Sequence, residues 1–373
     1  MSGVCPQCAR RAWLFTKLSA RIDFRALDLS RLWPVLELSD IDLIDALGGR
    51  RREELHKAYV EWEPAPDTHR TSGGDRDTEV QSICRHHALY PRALRKHALA
   101  PHALTVRGGA ERLDRILKEQ VVAIVGTRRA SDYGMETARG LARGLAASGL
   151  TVASGLTEGI PAAVHSGALE ANGSSLTVMS GGVDRCSPAW SRGLHLRITS
   201  SGCAISEPAT RGRGHRWWEA GRARTLALLA RLVIVVEAAE RPWELACAHV
   251  ARAHGRLVAA VPGRVNSPAS RGTNSLLMSG ARFVRCPQDA LDLLYEGIVR
   301  EQAHALTESI ELDPRLRAVL ERVGDGADTV AKLAAQGSKS NDAALALTEL
   351  EMRGLLLRGD AGRYVPRAGT LAM

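Results

Sequence analysis

The sequence predicts an α/β fold: a Rossmann-like doubly wound parallel sheet, with a small helical N-terminal region and a C-terminal winged-helix domain. Three observations carry this reading. Short apolar runs without a polar break recur between residues 121 and 261, each followed by a loop and a stretch of helical period. A strand that is apolar at every position is buried on both faces, and the alternating amphipathic helices supply that cover, so the strands run parallel. Glycine-bearing loops follow several of the runs directly, on the sheet edge where open α/β sheets receive ligands. Polar connectors at 63–79 and 299–311 bracket the pattern and divide the chain into an N-terminal region (1–62), a core (80–298) and a final module (312–368).

Taken in order, Arg31 to Trp62 reads as short helical segments with apolar residues at Leu36, Leu38, Ile41, Leu43, Ile44 and Leu47, stopped by Gly48-Gly49. Glu63 to Glu79 is polar and rich in Pro and Gly, the composition of a linker. Val121–Val125 is the first core strand and Tyr133–Ser148 its helix. Leu150–Ala153, Ser175–Met179, Cys203–Ser206, Leu232–Val236 and Leu257–Val261 repeat the theme, joined by right-handed crossovers. In the tail, Asp313–Val323, Thr329–Ala335 and Ser340–Arg353 read as three helices. Leu355–Arg358 and Arg363–Pro366 then form a two-stranded wing.

The bulk numbers narrow the function classes. No apolar run approaches the length of a membrane span, and no apolar segment with a cleavage site follows the N-terminus, so the default is a cytoplasmic protein with no membrane partner. Seven cysteines, an odd number without framework spacing, argue for free thiols. Cys5-Pro6-Gln7-Cys8 looks like half of a zinc knuckle. A second pair at matching spacing is missing, with His86-His87 far away beside the single Cys84, so the segment is read as a frayed terminus and no metal is expected. Net charge is +9, distributed as +3 over residues 1–110, +7 over 111–298 and −1 thereafter, nearly all of the excess being arginine. A basic core suits a polyanionic partner.

Five features are candidates for binding. Gly126-Thr127-Arg128-Arg129 follows the first strand, with Ser131 or Asp132 placed to cap the next helix. Free amides there, beside an arginine, would form an anion site. Ser154-Gly155 through Gly159 forms the second loop, with Pro161 suited to a first helical turn and His165 one turn inside, where a packed histidine is commoner than a catalytic one. Gly181-Gly182 follows the third run, and Pro262-Gly263-Arg264 with Gly272-Thr273-Asn274 makes the fourth feature. The fifth is RGRGHRWWEAGRAR (211–224), where Arg213, Arg216, Arg222 and Arg224 flank Trp217-Trp218. Guanidinium on phosphate and ring on base is how single strands are held, stacking being worth about 1–3 kcal/mol per base. Neither GxGxxG nor GxxxxGK(S/T) occurs, so no nucleotide cofactor is expected.

In this order the loops resemble the DprA/Smf (DNA-processing protein A) family. The matching stretches are GTRRASDYG (126–134), SGLTEGIPAAVHSGAL (154–169), SGGVDRCSP (180–188), SEP (206–208), GRARTLALLA (221–230), VIVVEAA (233–239), GRLVAAVPGRVNSP (255–268) and GTNSLLMSGA (272–281). The resemblance implies no enzyme but a single-stranded-DNA-binding recombination mediator. It would protect DNA in natural transformation or recombination, dimerise through its Rossmann-like domain and load the RecA recombinase. It also implies that Arg128 sits at a phosphate-contacting position, that Arg222 and Arg224 fall on the arginines of an RNR motif, and that the tail is a winged helix. The chain departs from the family pattern at Glu158 (arginine in the family), Pro161 (aspartate) and Ala223 (asparagine). A carboxylate at 158 would repel phosphate. Two rival readings remain. One is a small-nucleotide sensor on the same fold. The other, a LOG-type nucleotide phosphoribohydrolase, needs a catalytic glutamate after Gly-Thr, where this chain has Asn274-Ser275-Leu276.

Overall fold

Short, mainly apolar runs become the interior strands of a nine-stranded sheet. In the computed structural model β3 (Val121–Val125), β4 (Thr151–Ser154), β5 (Ser175–Met179), β6 (Cys203–Ser206), β7 (Leu232–Val235), β8 (Leu257–Ala260) and β9 (Arg282–Phe283) lie parallel in the order β6-β5-β4-β3-β7-β8-β9. Every residue of β4, β5, β6 and β7 is buried. The described residues are 3–19, 34–63, 80–95, 97–184, 189–207, 216–241, 244–295, 313–335, 337, 339–353, 355–359 and 362–366. Residues 64–79 of the expected connector at 63–79, and the whole of 299–311, lie outside them.

From β3 the chain builds outward through β4, β5 and β6 on one side, then returns to add β7, β8 and β9 on the other. The strand order therefore reverses at β3, and the loops after β3 and β7 diverge to open a crevice. Three strands were not foreseen, the short β9 at one edge and two at the other. Val80–Cys84 (β1) pairs antiparallel with Ala103–Arg107 (β2), which in turn pairs antiparallel with β6. Gln81 and Ser82 break the apolar run of β1, as suits an edge strand whose faces are only half covered.

Residues 6–18 are helical, not frayed: Pro6 sits in the first turn, and Leu14 and Leu18 are fully buried. With Leu43 and Ile44 of helix Asp40–Leu47 they join the hydrophobic cluster that holds Leu104, Val106 and Ile205 of the sheet. Arg11 pairs with Asp40 and donates to the Leu36 carbonyl at 2.8 Å, while the Tyr59 hydroxyl donates to Asp40 at 2.6 Å. The N-terminal helices thus form one compact unit with the sheet, residues Met1–Leu291.

The second unit, Asp292–Met373, has its own core of Leu316, Leu320, Leu333, Leu347, Leu350 and Tyr364. Its helices are Pro314–Gly324, Val330–Ala335 and Ser340–Met352. Asp313 caps the first by accepting from the Arg315 amide at 2.9 Å. Strands Leu356–Arg358 and Tyr364–Pro366 close the unit as an antiparallel pair.

Candidate nucleic-acid interface

The crevice at the strand reversal is a cleft of about 570 Å³. Its floor is the loop after β3, its walls are the loop after β4 and helix Arg216–Leu229, and Arg241 and Glu244 close it from the β7 side.

A carboxylate within the VIVVEAA stretch, given no role by the sequence, organises this floor. Glu237, two residues past β7 and 4% exposed, accepts from the Ser131 amide at 2.9 Å and the Ser131 hydroxyl at 2.6 Å. Its backbone carbonyl accepts from the Thr127 amide at 2.7 Å. Ser131 in turn caps helix Asp132–Ala147 by accepting from the Gly134 amide at 3.1 Å. Position 134 must be glycine for this to fit, because a Cβ there would overlap the Glu237 carboxylate. The YG of the first motif and the VVE of the sixth are therefore one structural device.

This corrects the expected anion site. The amides of Thr127, Ser131 and Gly134 are taken up by Glu237 and Ser131, and the Arg129 amide faces the Thr127 hydroxyl at 3.2 Å. Arg128 and Arg129 are exposed on the cleft floor, and no described residue forms an ion pair with either. Arg222 also lines the cleft but donates to Glu219 at 2.7 Å.

The second loop is held by Gly159, whose positive φ of 73° brings its backbone against the 127–128 loop. A Cβ would lie 2.6 Å from the Thr127 carbonyl oxygen, and the Ile160 amide donates to that same oxygen at 3.2 Å. His165 is fully buried. Its Nε2 donates to the Gly155 carbonyl at 2.8 Å, and its Nδ1 accepts from the Ser175 hydroxyl at 2.8 Å. Burial pushes its pKa down to about 4, so it is a neutral strut beneath the loop, not an acid–base group. Glu158 lines the cleft and accepts from Trp190 Nε1 at 3.2 Å. The cleft therefore sets Arg128, Arg129, Arg222 and Arg241 against Glu158, Glu219 and Glu244.

Several expected contact residues hold the structure together instead. Ser154 is buried and donates to the Ile124 carbonyl at 2.6 Å. Trp218, 5% exposed, packs into the main core and is closed to stacking on a base. Arg224, 3% exposed, is ion-paired with Glu207, which also accepts from the Thr225 hydroxyl at 2.7 Å. The Gly272 amide donates to the Ala238 carbonyl at 2.9 Å, and buried Thr273 donates to Ser270 at 3.0 Å. The Asn274 side chain clasps Gly263 through two hydrogen bonds of 3.2 Å. Gly126 and Gly155 line the cleft; Gly181 and Gly182 follow Ser180, which reaches Glu219 at 3.3 Å, but are not among its lining residues. Arg213 lies outside the described residues, and Arg216 and Trp217 open helix Arg216–Leu229.

The family model for DNA recombination-mediator protein A matches residues 81–295, the span that contains every element of this cleft. The chain belongs to the DNA recombination-mediator protein A family. A relative in Mycobacterium tuberculosis, named as a DNA processing protein DprA, is 40% identical over 188 residues, 50% of this chain and 48% of that one. The chain spans about half the length of several curated relatives it matches. The crystal structure of DNA processing protein A from Streptococcus pneumoniae superposes with a TM-score of 0.59 at 27% identity, covering 76% of this chain and 97% of that one. The Helicobacter pylori protein, whose structure is described with a single-stranded DNA binding mode, shares the fold at a TM-score of 0.52 and 23% identity, over 60% of this chain and 98% of its own. No helix among the described residues is long and apolar enough to cross a membrane.

Proposed function

We propose that this family member grips single-stranded DNA with Arg128 and Arg129 at the cleft, and serves as a recombination mediator that protects the strand and loads RecA. The observation that carries the reading is the pair of exposed arginines, free of ion pairs with described residues, at the strand reversal of the sheet. Guanidinium groups there meet phosphate oxygens through charge-assisted, bidentate hydrogen bonds. With Trp218 withdrawn into the core, backbone contact dominates and sequence preference is weak. Homodimerisation through the Rossmann-like unit, and a winged-helix role for the second unit in protein contact or regulation, belong to the same proposal; that unit's net negative charge suits a protein partner better than phosphate.

One observation favours a second reading. A cleft of about 570 Å³ falls within the roughly 300–1,000 Å³ of small-ligand sites, and its arginines are nearly balanced by glutamates. Those features would suit a small-nucleotide sensor. Fluorescence anisotropy of labelled oligo-dT and of the matching duplex, across a salt series and with thymidine monophosphate as competitor, separates the two. The proposal expects tighter binding to the single strand, weakening with salt, and competition by the mononucleotide only at millimolar levels. Micromolar mononucleotide binding with no oligonucleotide binding supports the sensor.

A further inference from the structure

Cys5 and Cys8 are separated from Cys84 and His86 by more than 75 residues, yet the fold brings all four together. Their Sγ atoms and the imidazole nitrogen all lie within 4.8 Å of one another. His86 Nδ1 is 3.3 Å from Cys5 Sγ and 3.5 Å from Cys8 Sγ. Bonds of about 2.3 Å to sulfur and about 2.0–2.1 Å to nitrogen at tetrahedral angles require sulfur–nitrogen edges of about 3.5 Å and sulfur–sulfur edges of about 3.8 Å. The two sulfur–nitrogen distances match such edges, and all four ligand atoms lie within 4.8 Å of one another, close enough to converge on one ion.

We propose that Cys5, Cys8, Cys84 and His86 form a structural zinc site with three thiolate ligands and one imidazole. Cys5 is the N-cap of helix Pro6–Leu18 and Cys8 lies in its first turn, so the Cys-x-x-Cys spacing places both thiols at one helix end. Cys84 ends β1, and His86 follows in the turn closed by the His87 amide on the Cys84 carbonyl at 2.8 Å. Backbone amides support the arrangement from both sides. The Cys5 amide points at Cys84 Sγ at 3.5 Å, as N–H groups do toward metal-bound thiolates, and the Cys84 amide donates to the Gly3 carbonyl at 3.0 Å. Cys8 and Cys84 are 1% and 2% exposed. Four protein ligands leave no open position, which makes the site structural and not catalytic. Three thiolates on a borderline-soft ion favour zinc over magnesium or calcium.

The site would fasten the N-terminal helix to the edge strand of the sheet, closing a loop of about 80 residues that includes the linker. This accounts for a helix of residues 6–18 where the sequence suggested a frayed end. It also supplies a blocker for the exposed edge of β1.

The test uses the full chain purified with intact thiols from zinc-supplemented culture. Elemental analysis after gel filtration is expected to give one zinc per chain. Cobalt exchange is expected to give the intense red-region absorption of a tetrahedral thiolate site. His86→Ala and Cys5→Ser should each bring zinc well below half occupancy. His86→Cys should restore it by supplying a fourth thiolate, and Cys286→Ser, an exposed thiol elsewhere, should leave it at one. Chelation should lower the thermal midpoint of the wild type by at least about 5 °C and leave that of His86→Ala unchanged. Fewer than 0.1 zinc per chain in the wild type, octahedral cobalt spectra, or a mass two units low from a Cys5–Cys8 disulfide in freshly purified protein would each overturn the assignment.

Discussion

Replacing Glu237 by alanine removes the acceptor on which the cleft floor is hung. Two donors lose a charged partner, the Ser131 amide and hydroxyl. Hydrogen bonds to a charged group contribute about 1.5–3 kcal/mol each. Ser131 is exposed enough for water to replace the carboxylate, so the lower end of that range applies and Glu237→Ala should cost about 3 kcal/mol. Glu237→Gln keeps one acceptor and should cost about half as much. Gly134→Ala displaces the carboxylate from the opposite side and should reproduce part of the alanine effect. Urea unfolding of the first unit, followed by tryptophan fluorescence, measures the stability term, with the transition analysed separately from that of the second unit. The same variants report on binding, because the tethered loop carries Arg128 and Arg129. Oligo-dT affinity should fall about tenfold in Glu237→Ala, equivalent to about 1.4 kcal/mol. A loss of stability below about 1 kcal/mol together with unchanged affinity would show that the loop holds its shape without Glu237, and the reasoning would fail.

Other perturbations follow from the same geometry. His165 has a folded-state pKa of about 4 against an ordinary 6.5, so the unfolded chain takes up a proton first as pH falls. Its stabilising contribution is present above pH 6.5 and is lost between 6.5 and 4. His195, also held down to about 4 by burial, adds to the loss. Burial holds His102 down to about 3, a further loss of the same sign, so the urea midpoint should drop steeply from about pH 7 to about pH 5, and His165→Gln should shed at most about a third of that pH dependence. Arg224→Ala strands the buried Glu207 carboxylate, which is 10% exposed. That should cost about 3–5 kcal/mol, partly recovered by adding Glu207→Gln, with strand affinity of the folded protein unchanged. Glu158→Ala removes a carboxylate from the cleft and should tighten oligo-dT binding roughly fivefold, the effect of about 1 kcal/mol for a charge a few ångströms from phosphate.

The sheet was legible because its interior strands are short and mainly apolar, with only small hydroxyl residues between, and the helices because their apolar period recurs after each strand. β1 was not, since Gln81 and Ser82 give it neither alternation nor a full apolar run. The sheet edge on which the cleft opens was legible, because glycine loops follow the strand ends; its place beside β3 was not, because the order of strands in the sheet is set by tertiary pairing. Which way each side chain faces was not. Trp217-Trp218 and Arg222-x-Arg224 read as equivalent pairs, yet Trp218 enters the core and Arg224 meets Glu207, while Arg222 lines the cleft. Glu237 was hidden because a lone carboxylate closing an apolar run looks like a strand end. Only the position of its partners, Ser131 and Gly134, more than 100 residues earlier, reveals its role. The Cys/His cluster escaped for the same reason: its ligand spacing along the chain is incomplete, and half of the set arrives through tertiary structure.

The decisive comparison is the salt dependence of oligo-dT binding by Arg128→Ala/Arg129→Ala against a charge-matched control, Arg139→Ala/Arg252→Ala. Arg139 is engaged with Glu170 at 2.6 Å, and neither control residue lines the cleft. Each phosphate left without its arginine lowers the logarithmic salt slope by about 0.7 for a single strand. Cleft binding predicts a slope shallower by about 1.4 and weakened affinity in the first variant, with the control indistinguishable from wild type. Equal slopes and affinities in all three proteins would place the DNA elsewhere on the molecule and remove the cleft from the binding site.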